Sequence, residues 1–149
     1  MKADYAVDLF NHRLGKAQDQ LAQAELLLKD GRYDGSVNRS YYAIFSAIRA
    51  LLALIRLDAR KHSGVITYFD RYFVKTGLFD KHFSRIIHTA FDVRQASDYE
   101  DFYVISADQA RLQFENGWNF VQEVENYFEL VRKDELQLPE VPRDKKSRG

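Results

Sequence analysis

Apolar residues return at alternating steps of four and three along the N-terminal segment: Phe10, Leu14, Ala17, Leu21, Ala24 and Leu28. That spacing puts them on one face of an α-helix. The helix is expected to start after Asp4, a residue suited to capping, and to stop at Gly31. A second long helix is expected from Asp34 or Ser36. Its apolar arc is Tyr41, Ile44, Phe45, Ile48, Leu51, Leu52 and Ile55.

Polarity then rises over Asp58-Ala59-Arg60-Lys61-His62-Ser63-Gly64, which reads as a connection. Val65, Tyr68, Phe69, Tyr72 and Phe73 form the buried side of a short helix that Gly77 ends. Asp80 can cap a fourth helix carrying Phe83, Ile86, Ile87, Ala90, Phe91 and Val93. Ser106 can cap a fifth, with Ala107, Ala110, Phe114, Val121, Val124, Phe128 and Val131 along its apolar side. Gly117 falls on that same side. A mid-helix glycine costs about 1 kcal/mol relative to alanine, so its expected benefit is close approach of another backbone.

Both prolines, Pro139 and Pro142, lie near the end, and no internal repeat interrupts the pattern. The expected architecture is all-α: an antiparallel up-and-down helical bundle of four long helices plus one short helix. Residues 1–136 make the bundle. Residues 137–149, with the charged run Arg143-Asp144-Lys145-Lys146-Ser147-Arg148, make a flexible charged tail.

Composition narrows the function classes. The 149 residues are 46% hydrophobic and 30% charged, as in a folded domain able to bury a core. Formal net charge is zero, so no chain-wide basic field for nucleic acid exists, although a local basic patch remains open. The absence of cysteine excludes disulfides and thiolate metal sites. No basic-then-apolar leader opens the sequence, and no run approaches the ~18–20 apolar residues of a membrane span. A cytoplasmic protein without membrane contact is expected.

Two arginines stand out because a guanidinium keeps its charge and must find acceptors wherever it lies. Beside the core arc of the second helix runs a flank of Asn38, Arg39, Tyr42, Ser46 and Arg49. Two guanidiniums, an amide, a phenol and a hydroxyl could bind phosphate, ribose or a partner's carboxylates. A solvated edge, with Arg39 paired to another helix, is the plainer alternative. Arg94 projects near the middle of the fourth helix's apolar arc, and Asp98, four residues on, can reach it. The pair is a structural clamp or half of a site at a helix or subunit interface. Buried ion pairs are weak stability devices, which draws attention to function.

His12, His62, His82 and His88 have no metal-ligand spacing, and no metal or other cofactor is expected. His62 and Ser63 are adjacent and lack an identifiable supporting acid for a nucleophilic pair. They are read as capping the start of the short helix. Tyr42, Phe91 and Trp118 fall beside the core arcs, and a homodimer is expected to cover them.

Taken in order, Arg39-Ser40-Tyr41-Tyr42-Ala43-Ile44-Phe45, His62-Ser63-Gly64-Val65, Phe73-Val74-Lys75-Thr76-Gly77 and Arg94-Gln95-Ala96-Ser97-Asp98-Tyr99 resemble the HEPN family over roughly residues 5–130. The resemblance implies an up-and-down helical bundle that often dimerises. Many members act with a minimal nucleotidyltransferase, frequently as a toxin–antitoxin pair. Active members are metal-independent ribonucleases whose motif is an Arg, four to six residues, then a His.

Here the Arg maps to Arg94, while Tyr99, Glu100 and Asp101 hold the positions where the His would stand. Histidine can both take and give a proton near neutral pH, and no residue of that trio matches it. Some toxin members carry a Tyr after the His to which the partner adds AMP, and Tyr99 is the implied counterpart. The expected function is therefore a HEPN-type binding partner of a nucleotidyltransferase. Asn38, Arg39, Tyr42, Ser46, Arg49 and Arg94 would line a nucleotide- or phosphate-binding groove. The alternatives are a metal-independent ribonuclease toxin with a variant site of Arg94, Asp98 and Tyr99, acting on RNA, and a structural helical dimer without ligand.

Overall fold

The computed structural model describes residues 2–143, and among them there are four long helices, one short helix and no strand. α1 (Lys2–Lys29) and α2 (Tyr33–Leu54) form a hairpin across a tight turn. The short α3 (His62–Phe69) precedes α4 (Lys81–Tyr99) and α5 (Ala107–Arg132). α2 packs against all four others. From Ala43 to Leu54 only Phe45 and Arg49 keep appreciable exposure. A helix so apolar on every side is a central helix.

Small side chains bring α1 and α2 together. Ala17, Ala24, Ala43, Ala47 and Ala50 are all fully buried, and the Ser36 hydroxyl donates to the Ala24 carbonyl at 2.8 Å. Gly117 performs the expected service for α5. A Cβ added there would lie 3.3 Å from Leu21 Cδ2 and 3.5 Å from the Ser40 carbonyl oxygen. Asp80 caps α4 through the His82 amide, and Ser106 and Gln109 form a reciprocal capping box on α5.

At the opposite side of the core, Phe69, Phe73, Phe79, Phe83, Phe120 and Tyr127 meet largely edge to face. Truncating a fully buried ring of this kind, such as Phe120, costs about 3–5 kcal/mol. The cluster also sets the rotation of α5. Its buried residues are Ala110, Gln113, Gly117, Phe120, Val121, Val124 and Tyr127. Phe114, Phe128 and Val131, expected along that apolar side, are only half-buried on its flank.

Several boundaries differ from expectation. α1 begins at Lys2, so Asp4 lies within the helix rather than before it. The polar connection is shorter than its composition implies, because His62, Ser63 and Gly64 already belong to α3. Lys61 occupies the cap position, and no side chain caps that end. After Phe69 the helix widens into a π turn over Asp70–Val74, where the Lys75 amide donates to the Asp70 carbonyl at 2.9 Å. Gly77, at φ +82°, then turns the chain away.

The tail expected from residue 137 is not free along its first part. Leu136, Leu138 and Val141 pack against the core. The Tyr127 hydroxyl donates to the Gln137 carbonyl at 3.2 Å, and Arg143 donates to the Ile55 carbonyl at 2.8 Å. The apolar residues alternating with the two prolines supply the reason: they have core surface within reach. The charged remainder, 144–149, lies outside the described residues. Among the described residues no helix is long and apolar enough to cross a membrane.

Candidate functional site

Arg94 enters from α4 as a charged side chain among rings. It is only 7% exposed. Its guanidinium carbon sits 4.9 Å from the centre of the Tyr41 ring, 5.7 Å from that of Tyr42 and 5.8 Å from that of Phe91. Such cation–π contacts offset part of the cost of removing the charge from water. The ion pair allowed by the i, i+4 spacing forms, with Nη1 donating to Asp98 Oδ2 at 3.2 Å. Nε is buried and has no acceptor among the described residues. Burial alone would lower the Arg94 pKa, but the Asp98 hydrogen bond and the neighbouring Tyr42 and Tyr41 phenols raise it. The charge is thus permanent, aromatic rings restrict its surroundings, and one donor is unspent.

A residue that the sequence places elsewhere completes the cluster. His62, read as a capping residue, turns its Nδ1 to the Tyr41 hydroxyl at 2.7 Å. Its ring packs 4.1 Å from Phe45 and within 6 Å of Tyr41 and Tyr42. Burial first, and the Arg94 charge second, lower the His62 pKa. Burial likewise pushes the Tyr41 hydroxyl up to about 12, so it stays protonated near neutrality. Tyr41 therefore links a neutral imidazole and a fixed guanidinium. With Nδ1 engaged, Nε2 is the ring nitrogen left for a ligand.

The flank of α2 does not come together as one surface. Tyr42 joins Arg94. Arg39, by contrast, is exposed and turned to α1, its Nε donating to Gln23 Oε1 at 2.8 Å and its Nη1 to Asn38 Oδ1 at 2.6 Å. The Ser46 hydroxyl donates to Gln20 Oε1 at 2.9 Å and is buried. Arg49 pairs with Asp58 at 3.0 Å. The flank projects as a continuous stripe, but the α1–α2 packing takes Arg39 and Ser46 into interhelical hydrogen bonds. Asp98 keeps about a third of its side-chain surface, and Tyr99, the last residue of α4, is 74% exposed. Phe91, one of the residues a homodimer is expected to cover, packs beside Arg94, whereas Trp118 is half exposed.

Sequence reasoning passed over His62 as a site residue because its partner lies 21 positions away, on another helix. The available signal was an aromatic–histidine combination, Tyr41-Tyr42 with Phe45, which has no fixed spacing. Chemically, the cluster can hold an anion against Arg94 and His62, in competition with Asp98.

The family model of the HEPN domain matches residues 10–132. A UPF0332 protein of Thermotoga maritima is 34% identical over 79% of this chain and 84% of its own length. From Methanocaldococcus jannaschii, "Putative toxin MJ0142" is 32% identical over 82% of each chain. "Putative toxin MJ0605" of the same organism is 39% identical over 56% of this chain and 62% of its own length.

Proposed function

The chain belongs to the HEPN domain family, and from that premise we propose that it is a helical binding protein whose groove at Arg94 takes a nucleotide or another phosphate-bearing ligand. It acts as a homodimer and as the partner of a nucleotidyltransferase in a toxin–antitoxin-like pair. One observation carries the groove: a fully charged, 7%-exposed guanidinium with an unspent buried N–H and a single carboxylate, itself a third exposed, for a partner. Buried polar groups are normally satisfied, and an orphaned donor beside aromatic surface is what a phosphate with an attached base would complete. The two M. jannaschii relatives carry toxin names, which supports the toxin side of that setting.

The test has two arms. Calorimetric titration with ATP should give saturable binding that Arg94→Gln weakens at least tenfold, while a melting curve shows that the variant is folded. Co-expression with a nucleotidyltransferase encoded beside this chain should yield a stable complex. Equal ATP affinity in wild type and Arg94→Gln would remove the groove. Failure to co-purify would remove the partnership.

A metal-independent ribonuclease is the second reading, and His62 favours it. Tyr99, Glu100 and Asp101 stand where the family's His would be. A histidine from α3 nevertheless reaches Tyr41 in the ring cluster that holds Arg94. Cleavage needs a proton taken from the 2′-hydroxyl and one given to the leaving oxygen. Nε2 of His62 is a candidate for one of these transfers, and the Arg94 guanidinium would stabilise the charge on the phosphorus oxygens.

A further inference from the structure

The end of α2, the connection after it and the start of α3 surround a cavity of about 470 Å³. Phe45, Arg49, Asp58, Ala59, Arg60 and His62 line it. Charge in and around it is unbalanced. Asp58 is the one carboxylate of the wall, and it is shared by Arg49 at 3.0 Å and by Arg13, just outside the wall, at 3.5 Å. Arg60 adds a third guanidinium, exposed and without an ion pair among the described residues. Three fixed positive charges thus share one negative charge.

The surplus leaves marks. Arg13 is crowded: burial, and next the charge of Arg49, lower its pKa. Arg13 spends one donor on the Arg49 carbonyl at 3.0 Å, which holds the two side chains side by side. Arg49 Nε is buried and has no acceptor among the described residues. Asp58 cannot relieve the crowding further. Burial disfavours its charge, but the hydrogen bonds from Arg49 and the Ala59 amide, with the charges of Arg49 and Arg13, already hold its pKa below the usual value. The uncapped start of α3 adds its positive end at the same wall.

We propose that this cavity is a second ligand site, one that binds a phosphate monoester through Arg49, Arg60 and His62. The dianion matches the two uncompensated charges, and the forked guanidinium of Arg49, a third of whose side chain is exposed, offers a phosphate oxygen the N–H groups that Asp58 does not take. The cavity has room for the phosphate and an attached sugar. His62 forms the wall between this cavity and the Tyr41–Arg94 cluster, so the two sites are adjacent but use different arginines. The inference goes beyond the Arg94 groove and does not need it.

The experiment is a titration of the ¹⁵N-labelled full chain with inorganic phosphate, AMP and adenosine, followed by amide shifts. Phosphate and AMP should each move the amides of Arg60–Gly64 in a saturable way, and adenosine should not. Arg60→Gln, at an exposed position, should weaken both by about tenfold, the loss of one charge-assisted hydrogen bond. Arg49→Gln should do at least as much, with thermal melting to report whether it stays folded. Equal affinity for phosphate and AMP identifies the phosphate group as the whole ligand. Tighter binding of AMP identifies a nucleotide. The proposal fails if adenosine acts like AMP, if Arg60→Gln changes nothing, or if only amides around Arg94 respond. The last outcome would support the Arg94 groove alone.

Discussion

The hydroxyl of Tyr41 lies 2.7 Å from Nδ1 of His62, joining the middle of α2 to the first residue of α3. The contact fixes the imidazole in a ring cluster that already contains a guanidinium, and a second positive charge there is unwelcome. It follows that His62 is neutral over a wider acidic range in the folded protein than in the unfolded chain.

This has a definite sign. The folded pKa of His62 is lowered from its ordinary value of 6.5, by burial first and by Arg94 second. Above that value both states are neutral and His62 contributes no pH dependence. As pH falls through 6.5, the unfolded chain takes up a proton that the folded chain resists, so stability falls. Urea midpoints should be level between about pH 7 and 8 and decline from about pH 6.5 towards 5. His62→Gln should flatten the decline. Asp58, Asp80 and Glu129, whose pKa values are lowered, act further into acid. A midpoint that rises on going from pH 7 to pH 5 would contradict the geometry.

The ends of the helices offer an internal comparison. α1 closes with Gly31 at φ +77°, its amide donating to the Leu28 carbonyl and that of Arg32 to the Leu27 carbonyl. α2 closes with the same pair of bonds, from Arg56 to Ala53 and from Leu57 to Leu52, but with an arginine at φ +58°. The left-handed conformation costs a side-chain-bearing residue roughly 1–2 kcal/mol. Arg56→Gly should therefore raise stability by about 0.5–1 kcal/mol, after the extra freedom glycine gains in the unfolded chain. Gly31→Ala should lower it by about 1 kcal/mol. Chemical denaturation of the two variants checks both signs.

What could be read from the residues, and what could not, divides by the range of the interaction. The helices were legible because Phe10, Ala17, Leu21 and Ala24, or Ile44, Ile48, Leu51 and Leu52, repeat locally, and Asp80 and Ser106 cap amides two or three residues away. Gly117 was legible because a mid-helix glycine needs compensation, and Ser40 and Leu21 supply the close neighbours. The Arg94–Asp98 pair follows from one turn of helix. The rotation of α5 was not legible. Two apolar stripes compete there, and the ring cluster of Phe69, Phe73, Phe79 and Phe83 selects Phe120 and Tyr127. The place of His62 was not legible for the same reason: its neighbours in sequence say loop, while Tyr41 and Phe45, on another helix, draw it into a ring cluster. Arg39 and Ser46 lie on the projected flank, but a helical projection cannot tell an open edge from one facing Gln23 and Gln20 of α1.

The segment after Arg94 also presents apolar surface. Tyr99 is 74% exposed, Phe102 97% and Val104 82%, all within one short stretch at the end of α4. Large side chains so open and so close together mark an association surface. A second copy of the chain is the expected occupant, which would bring the two Asp98–Tyr99 segments near each other. Light scattering at micromolar concentration should give a dimer mass, and Phe102→Asp should shift it to the monomer without lowering the melting temperature of the isolated fold. A wild-type monomer at that concentration would remove the homodimer from the proposed function.

Catalysis separates the two readings of the Arg94 cluster. Tyr99, Glu100 and Asp101 cannot replace a histidine in both proton transfers, so the binding reading expects RNA incubated with wild type in chelator to be cut no faster than with Arg94→Ala. The ribonuclease reading expects wild type to cleave. Arg94→Ala would then lose the electrostatic stabilisation, and His62→Ala the proton transfer, each by about 10²–10⁴-fold. Asp98→Ala distinguishes pairing from chemistry. Its partner Arg94 is nearly buried while Asp98 is partly open, so losing the carboxylate should cost about 1 kcal/mol of stability and free Nη1 for a phosphate. Under the binding reading Asp98→Ala binds ATP more tightly than wild type. Under a ribonuclease reading through His62 it cleaves at least as fast as wild type, because the guanidinium no longer has to exchange a carboxylate for the substrate, whereas a variant site of Arg94, Asp98 and Tyr99 loses its activity with Asp98. A wild-type rate abolished by Arg94→Ala but untouched by His62→Ala would assign the proton transfers elsewhere and remove His62 from the chemistry.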